Sequence, residues 1–294
     1  MLNRVLLVAS VLAVLAAPAE SADGKEKKRK RKSEAGYLAI KSGNVKLSID
    51  PKVGGRIASM TLDGREILKT RRDENHWHWG STVWVAPQSD WKWPPSTVID
   101  SDPYSVVQAD ESKIVVRSKV DPKSGLQLTK HFEFSDTAEH QPTAKMTYVL
   151  YNRGKALRRV GIWENTRVRW DGRTRLPAGS KIRLSKPSAA IKKIERSKAI
   201  AIVFDDHQPD QQKVFCTPPV SDSGYTWNSF QLDDLVLTKS RMHPKSVAPE
   251  HTPLEIYLAP KQGFAELENQ GAYEAIAPGE STRMVVMWRL WIKE

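Results

Sequence analysis

The chain has 294 residues, 39% hydrophobic and 27% charged, with a formal net charge of +12 and a single cysteine. One cysteine excludes an intramolecular disulfide, so a large apolar core must hold the fold, and the length is ample for one. The N-terminal apolar run, Val5 to Ala17, is shorter than the roughly 20 residues a membrane-spanning helix needs.

Asn3 and Arg4, that apolar run and the small residues of Ala17-Pro18-Ala19 together form a secretory leader, with cleavage expected after Ala19. No cysteine follows the run, which argues against a lipid anchor, so a secreted or periplasmic location is expected. Lys25 to Lys32 then carries seven of the 46 basic residues. Like charges repel and nothing apolar is there to bury, so residues 20–35 read as a disordered, solvated tether. An electrostatic hold on anionic envelope polymer or a membrane surface is the alternative role. Without the first 34 residues, 38 basic and 30 acidic side chains remain, a net charge of about +8. That is mildly basic, and no basic-aromatic single-strand platform accompanies it, so nucleic acid is not an expected partner.

From Gly36 to Glu294 the pattern is strand after strand, read as one domain. Gly54-Gly55 before Arg56-Ile57 predicts a tight turn that aims the following strand. The segment His76 to Pro95 holds five of the ten tryptophans, Trp77, Trp79, Trp84, Trp91 and Trp93, with two histidines and three prolines. Trp79 and Trp84 border or lie in an apolar stretch and read as core. Trp91 and Trp93 sit in a Pro-bounded polar loop, where large aromatics are unexpected unless they recognise something. Flat indoles beside polar groups suit a sugar ring, apolar on its C–H faces and hydroxylated at its rim.

Ile114–Val120 is a β-branched run flanked by turn residues. Leu126, Leu128, Phe132 and Phe134 alternate with polar residues at the two-residue period of a half-buried strand. Met146–Tyr151, Val160–Trp163, Ala199–Phe204, Leu254–Leu258 and Met284–Trp291 continue the series. Asn152-Arg153-Gly154 and Pro278-Gly279 mark turns. No amphipathic helix of ten residues or more is visible, and no fixed repeat suggests a propeller. The fold class is therefore all-β, a sandwich or barrel of mostly antiparallel sheets. Cys216 has no histidine near it in sequence and reads as buried and inert. Asp205-Asp206-His207 to Asp210 lacks calcium-loop and zinc spacing and reads as a surface turn, with metal as the alternative. No serine-hydrolase elbow, phosphate loop or dinucleotide fingerprint is present, and no cofactor is expected.

Several stretches together resemble the galactose-mutarotase-like superfamily, in particular a group of uncharacterised bacterial domains that share its β-supersandwich. They are Val45 to Met60 with its Gly-Gly-Arg-Ile turn, and Gly80-Ser-Thr-Val-Trp-Val-Ala-Pro87 followed by Trp93-Pro94-Pro95. Tyr148 to Gly154, Gly161-Ile-Trp-Glu-Asn-Thr-Arg-Val168, Phe264 to Gly271, Ala277 to Ser281 and the strand ending Trp288-Arg-Leu290 follow in order. The resemblance implies a sugar site on the concave face of the larger sheet. In catalytic members a carboxylate takes the proton of the anomeric hydroxyl while a histidine protonates the ring oxygen. It carries the carboxylate to the Phe264–Gln270 strand, where Glu266 and Glu268 share a face because side chains two apart do. Glu268 is the first choice, and two close carboxylates would raise each other's pKa. No histidine stands in Ile162 to Arg167, where such members carry one, so His78 and His131 are the remaining candidates for the acid. Arg56, Arg167 and Arg169 could donate forked hydrogen bonds to a sugar. Glu164, between Trp163 and Asn165, reads as a hydroxyl reader or as half of a buried ion pair with an arginine.

Three functions follow as expectations. The first is an exported carbohydrate-binding domain, stacking a sugar on the Trp77–Trp93 segment and reading it with Glu268, Glu266, Glu164 and Arg56. The second is an aldose 1-epimerase-like enzyme with Glu268 as base and His78 or His131 as acid, and the third an envelope scaffold.

Overall fold

A computed structural model describes residues 36–71, 77–135, 142–187, 199–204 and 209–294. The leader, the basic segment, His76 and Asp205–Gln208 lie outside them. Among the described residues twenty strands build two antiparallel sheets. The larger follows the order β1 (Leu38–Ser42), β2 (Val45–Asp50), β3 (Arg56–Leu62), β5 (Ser81–Ala86), β10 (Arg158–Arg169), β18 (Phe264–Gln270), β17 (Leu254–Ala259), β14 (Gln212–Thr217) and β12 (Lys181–Leu184). The short β4 (Arg65–Glu66) and β19 (Glu274–Ile276) pair with β3 and β10. The second sheet runs β13 (Ala199–Val203), β11 (Arg173–Pro177), β15 (Tyr225–Leu232), β16 (Leu235–Met242), β20 (Ser281–Ile292), β9 (Thr143–Asn152), β8 (Leu126–Ser135), β7 (Lys113–Arg117) and β6 (Ser105–Ala109).

Strand alternation puts one face of each sheet in a shared core. Leu47, Ile57, Val83, Ile162, Ile256 and Leu267 of the larger sheet bury against Leu128, Phe132, Tyr148, Phe230, Leu237 and Trp288 of the second. Cys216 is buried, and burial pushes its thiol up to about 11. The expected strands form where the apolar runs lie, several extending beyond them: Val160–Trp163 is only the start of twelve-residue β10, whereas the Ile114–Val120 run is strand only as far as Arg117. The only α-helix among the described residues is α1 (Thr97–Asp100).

Two features break the simple pattern. On β8 the inward position between Leu128 and Phe132 is Lys130, fully buried, its Nζ donating to the Gly54 carbonyl at 2.7 Å. The hairpin of β15 and β16 turns Thr226, Asn228, Lys239 and Arg241 inward, all buried.

The Gly54-Gly55 turn forms as expected, both residues at positive φ. A Cβ on Gly54 would lie 1.8 Å from the Asp100 carbonyl oxygen, so only glycine lets α1 approach. Gly54→Ala is expected to destabilise by more than about 1 kcal/mol, seen as a lower urea midpoint. An unchanged midpoint would contradict this packing.

Candidate functional site

The outer face of the larger sheet carries the site. Register aligns its side chains in three rows across neighbouring strands. Trp84 of β5 stands opposite Trp163 of β10, which stands opposite Gln270 of β18. One step along, Thr82, Asn165, Glu268, Glu255 and Phe215 line up across β5, β10, β18, β17 and β14. The third row is Arg167, Glu266, Tyr257 and Lys213.

The second row and its neighbours form a carboxyl cluster. The Trp163 Nε1–H donates to Glu268 Oε2 at 2.8 Å. Lys213 Nζ lies 3.1 Å from the same oxygen, 2.7 Å from Glu255 Oε2 and 4.8 Å over the Trp163 ring. His251, in the loop before β17, places Nδ1 3.2 Å from Glu255 Oε1 and 3.0 Å from the Gln270 amide nitrogen. Its ring meets the Trp163 indole edge-on at 4.8 Å. Burial, with help from the Glu255 and Glu266 carboxylates, raises the pKa of Glu268 despite Lys213. Glu255 is buried too, yet the hydrogen bond to His251 and the Lys213 charge hold its pKa down. The two neighbouring carboxyls are thus pulled in opposite directions, Glu268 up and Glu255 down.

The third row continues into a second cluster. Arg167 Nε donates to Glu266 Oε1 at 2.8 Å, and Asn165 Nδ2 donates to Glu266 Oε2 at 3.1 Å. The Arg167 guanidinium lies 5.1 Å over Trp84. The Trp84 Nε1–H donates to Asp100 Oδ1 at 2.8 Å, and Arg56 Nη2 donates to the same carboxylate at 3.2 Å. Burial lowers Arg56 to about 10. Three buried atoms here lack a partner among the described residues, the donors Arg56 Nε and Arg167 Nη1 and the acceptor Asn165 Oδ1.

The tryptophan loop closes one end of this face. Trp84 packs edge-on against Trp163 at 5.0 Å, Trp93 at 5.8 Å and Trp91 at 6.3 Å. Trp91 Nε1–H donates to the Val85 carbonyl at 2.7 Å. Beyond Trp84 opens a groove of about 880 Å³, walled by Trp91, Trp93, Pro94, Pro95, Tyr273 and the start of β10.

The sequence-predicted residues distribute as follows. Glu266, Glu268, Arg167 and Trp84 sit together on the outer face, with Arg56 and Trp79 behind Trp84 and Trp77 exposed beside them. Trp91 and Trp93 line the groove. His78 stacks on Phe264 at 4.7 Å, which places it on the same face but at the Glu266 end. Glu268 is four residues from Phe264, about 13 Å along the strand.

Two expectations need correction. Glu164 does not join Trp163 and Asn165 as a hydroxyl reader, because adjacent strand residues point to opposite faces. It is fully buried between the sheets, 2.9 Å from Lys239 Nζ, so its ion-pair partner is a lysine and not an arginine. His131 lies between the inward-pointing Lys130 and Phe132 and so faces outward from the second sheet, with the core between it and Glu268.

Sequence reasoning missed His251, Glu255, Lys213 and Asp100. Glu268 was marked by the resemblance, which carried no carboxylate to the Leu254–Leu258 strand; the signal there was Glu255 interrupting an apolar run. Lys213 and His251 carried none, because only pairing of β14 with β17 brings Lys213 to Glu255. Among the described residues no group of three or more histidine, cysteine or acidic side chains is placed to hold a metal ion.

Solved structures share this architecture. A galactose mutarotase-like protein from Lactobacillus casei aligns with a TM-score of 0.60 at 12% identity, over 87% of this chain and 100% of that one. A galactose mutarotase-like protein from Clostridium acetobutylicum gives 0.59 at 13% identity, over 86% and 94%. Galactose 1-epimerase from Lactobacillus acidophilus gives 0.51 at 10% identity, over 91% and 98%. At these identities the likeness defines the fold: this is a galactose-mutarotase-like β-supersandwich. No curated protein matches the chain at a significant level. The family described as Domain of unknown function (DUF4380) matches residues 36–291, and the chain belongs to it.

Proposed function

We propose that the protein is an exported carbohydrate-binding domain that holds a sugar on the outer face of its larger sheet, against Trp163 and the Glu268 cluster. The observation that carries this reading is the direct meeting of two sequence-distant groups: the indole series Trp93–Trp84–Trp163 runs into the carboxyl of Glu268. Indole faces cover the apolar side of a sugar and carboxyls accept from its rim. The unpartnered Arg167 Nη1 and Asn165 Oδ1 are a donor and an acceptor, the two needs that one hydroxyl can meet. Export rests on the leader at Met1–Ala19, and the basic segment at 25–32 would hold the domain near anionic envelope polymer or lipid headgroups.

A second reading, an aldose 1-epimerase-like enzyme, draws on one specific observation. His251 stands beside the Glu255–Glu268 pair, a position that neither His78 nor His131 occupies. Glu268 is only 1% exposed and hydrogen-bonded to Trp163, itself 2% exposed, so sugar contact and turnover alike require these groups to be uncovered first.

Calorimetric titration of the full chain with D-galactose, D-glucose and lactose, paired with NMR exchange of their anomers, separates the readings. We expect saturable binding of at least one sugar and no exchange above the spontaneous rate. Glu268→Gln should weaken that binding by about tenfold, the loss of one hydrogen bond. Accelerated exchange abolished by Glu268→Gln would favour the enzyme. Absence of binding to all three sugars would defeat both.

A further inference from the structure

We propose that the groove beyond Trp84 is a separate binding site for an acidic oligosaccharide, one bearing carboxylates along its chain. The inference rests on the reading that this domain binds carbohydrate, and it adds the charge of the ligand and a second place for it.

The aromatic wall of the groove presents ring faces with few free donors. Trp93 is 61% exposed and held by its edge contact with Trp84, and Leu157, 65% exposed, continues the apolar wall. The Trp91 and Trp84 N–H groups are already engaged by Val85 and Asp100. What remains is an apolar surface suited to the C–H faces of sugar rings. Its size lies at the upper end of small-ligand sites, about 300–1,000 Å³, leaving room for more than one ring.

Charge then selects among glycans. Lys123, Arg158 and Arg159 line the groove, and none forms an ion pair among the described residues. The Arg159 guanidinium is positioned 5.0 Å over the Tyr273 ring. Of the two lining carboxylates, Asp121 is buried in its own turn, accepting from the Lys123 N–H at 3.1 Å and the Ser124 hydroxyl at 2.6 Å. Only Asp90 remains exposed to offset three cations. A neutral glycan would leave those cations without counter-ions, whereas an acidic one supplies carboxylates, in forked geometry at the two arginines. The chain's own basic segment at 25–32 is the wrong sign to occupy this site.

The test is calorimetric titration of the full chain with tetramers of galacturonate, mannuronate and glucuronate, and with a galactose tetramer as the neutral control. At least one acidic tetramer should bind about tenfold more tightly than the neutral one. Trp93→Ala, and separately Arg158→Gln with Arg159→Gln, should each reduce acidic binding by about tenfold or more, with the circular dichroism unchanged. Failure of all three acidic tetramers to bind, equal affinity for the neutral tetramer, or acidic binding indifferent to the groove substitutions would each overturn the proposal. The last outcome would assign the polyanion to the basic segment. Loss of neutral monosaccharide binding in Glu268→Gln bears on the sheet site alone, so the two proposals can fail independently.

Discussion

Lys239→Met should destabilise the protein by about 3–5 kcal/mol, the usual cost of leaving a buried charge without its partner. Lys239 and Glu164 are both wholly buried between the sheets, 2.9 Å apart. Lys239 Nζ also donates to Thr166 Oγ1 at 2.7 Å and to the Leu267 carbonyl at 3.1 Å. Glu164 accepts in turn from the Tyr148 hydroxyl at 3.0 Å, Asn269 Nδ2 at 3.0 Å and Trp288 Nε1 at 3.2 Å. These bonds tie β10 and β18 of one sheet to β9, β16 and β20 of the other. Methionine fills the volume of lysine but strands a carboxylate in a medium that solvates it poorly. Adding Glu164→Gln removes that charge and keeps an acceptor for Tyr148 and Trp288, so the double variant should recover more than half of the loss. Urea unfolding of the three proteins measures this. A single variant as stable as the parent would mean that the pair is not the tie described.

The second large effect is a pH dependence that belongs to Lys130. Burial, with the Arg56 charge adding to it, lowers this ammonium to about 7, against the pull of Asp100 and Glu164. The unfolded chain holds the same proton up to about 10.4. Between these values the unfolded state binds more protons, so the contribution of Lys130 to stability rises with pH. It is complete above the unfolded pKa and is lost as pH falls towards the folded one. Glu268 and Cys216, both raised, act in the opposite sense below about 8 and above about 9. A comparison with Lys130→Met cancels them. The stability of the parent minus that of Lys130→Met should grow by about 1.4 kcal/mol per pH unit between about pH 7.5 and 10. A difference that stays flat across this range would show that Lys130 is not held neutral.

Much of the fold was legible because its signals are local. The two-residue period of Leu126 to Phe134, the turn at Gly54-Gly55 and the apolar run at Met284 each report a half-buried strand or tight turn without long-range information. Where the core is polar the signal disappears. The hairpin of β15 and β16 turns Thr226, Asn228, Lys239 and Arg241 inward, so alternation of apolar and polar residues could not reveal it. Lys130 hid within a recognised strand for the same reason.

The site divides along similar lines. Glu266 and Glu268 could be placed on one face from strand geometry alone. The partner of Glu164 could not, since Lys239 reaches it from the opposite sheet. His251 and Lys213 acquire their positions from strand order, which no segment of the sequence encodes by itself.

In the proposed function, indoles of the early loop and the acidic strand near the C-terminus form one sugar-binding surface. The most direct measurement is an NMR titration of the indole N–H signals with neutral sugars, assigned through single Trp→Phe variants. Saturable shifts of Trp163 and Trp84 are expected, needing about tenfold more sugar in Glu268→Gln. Shifts confined to tryptophans remote from this face, such as Trp227 and Trp291, or a spectrum unmoved by any sugar, would contradict it.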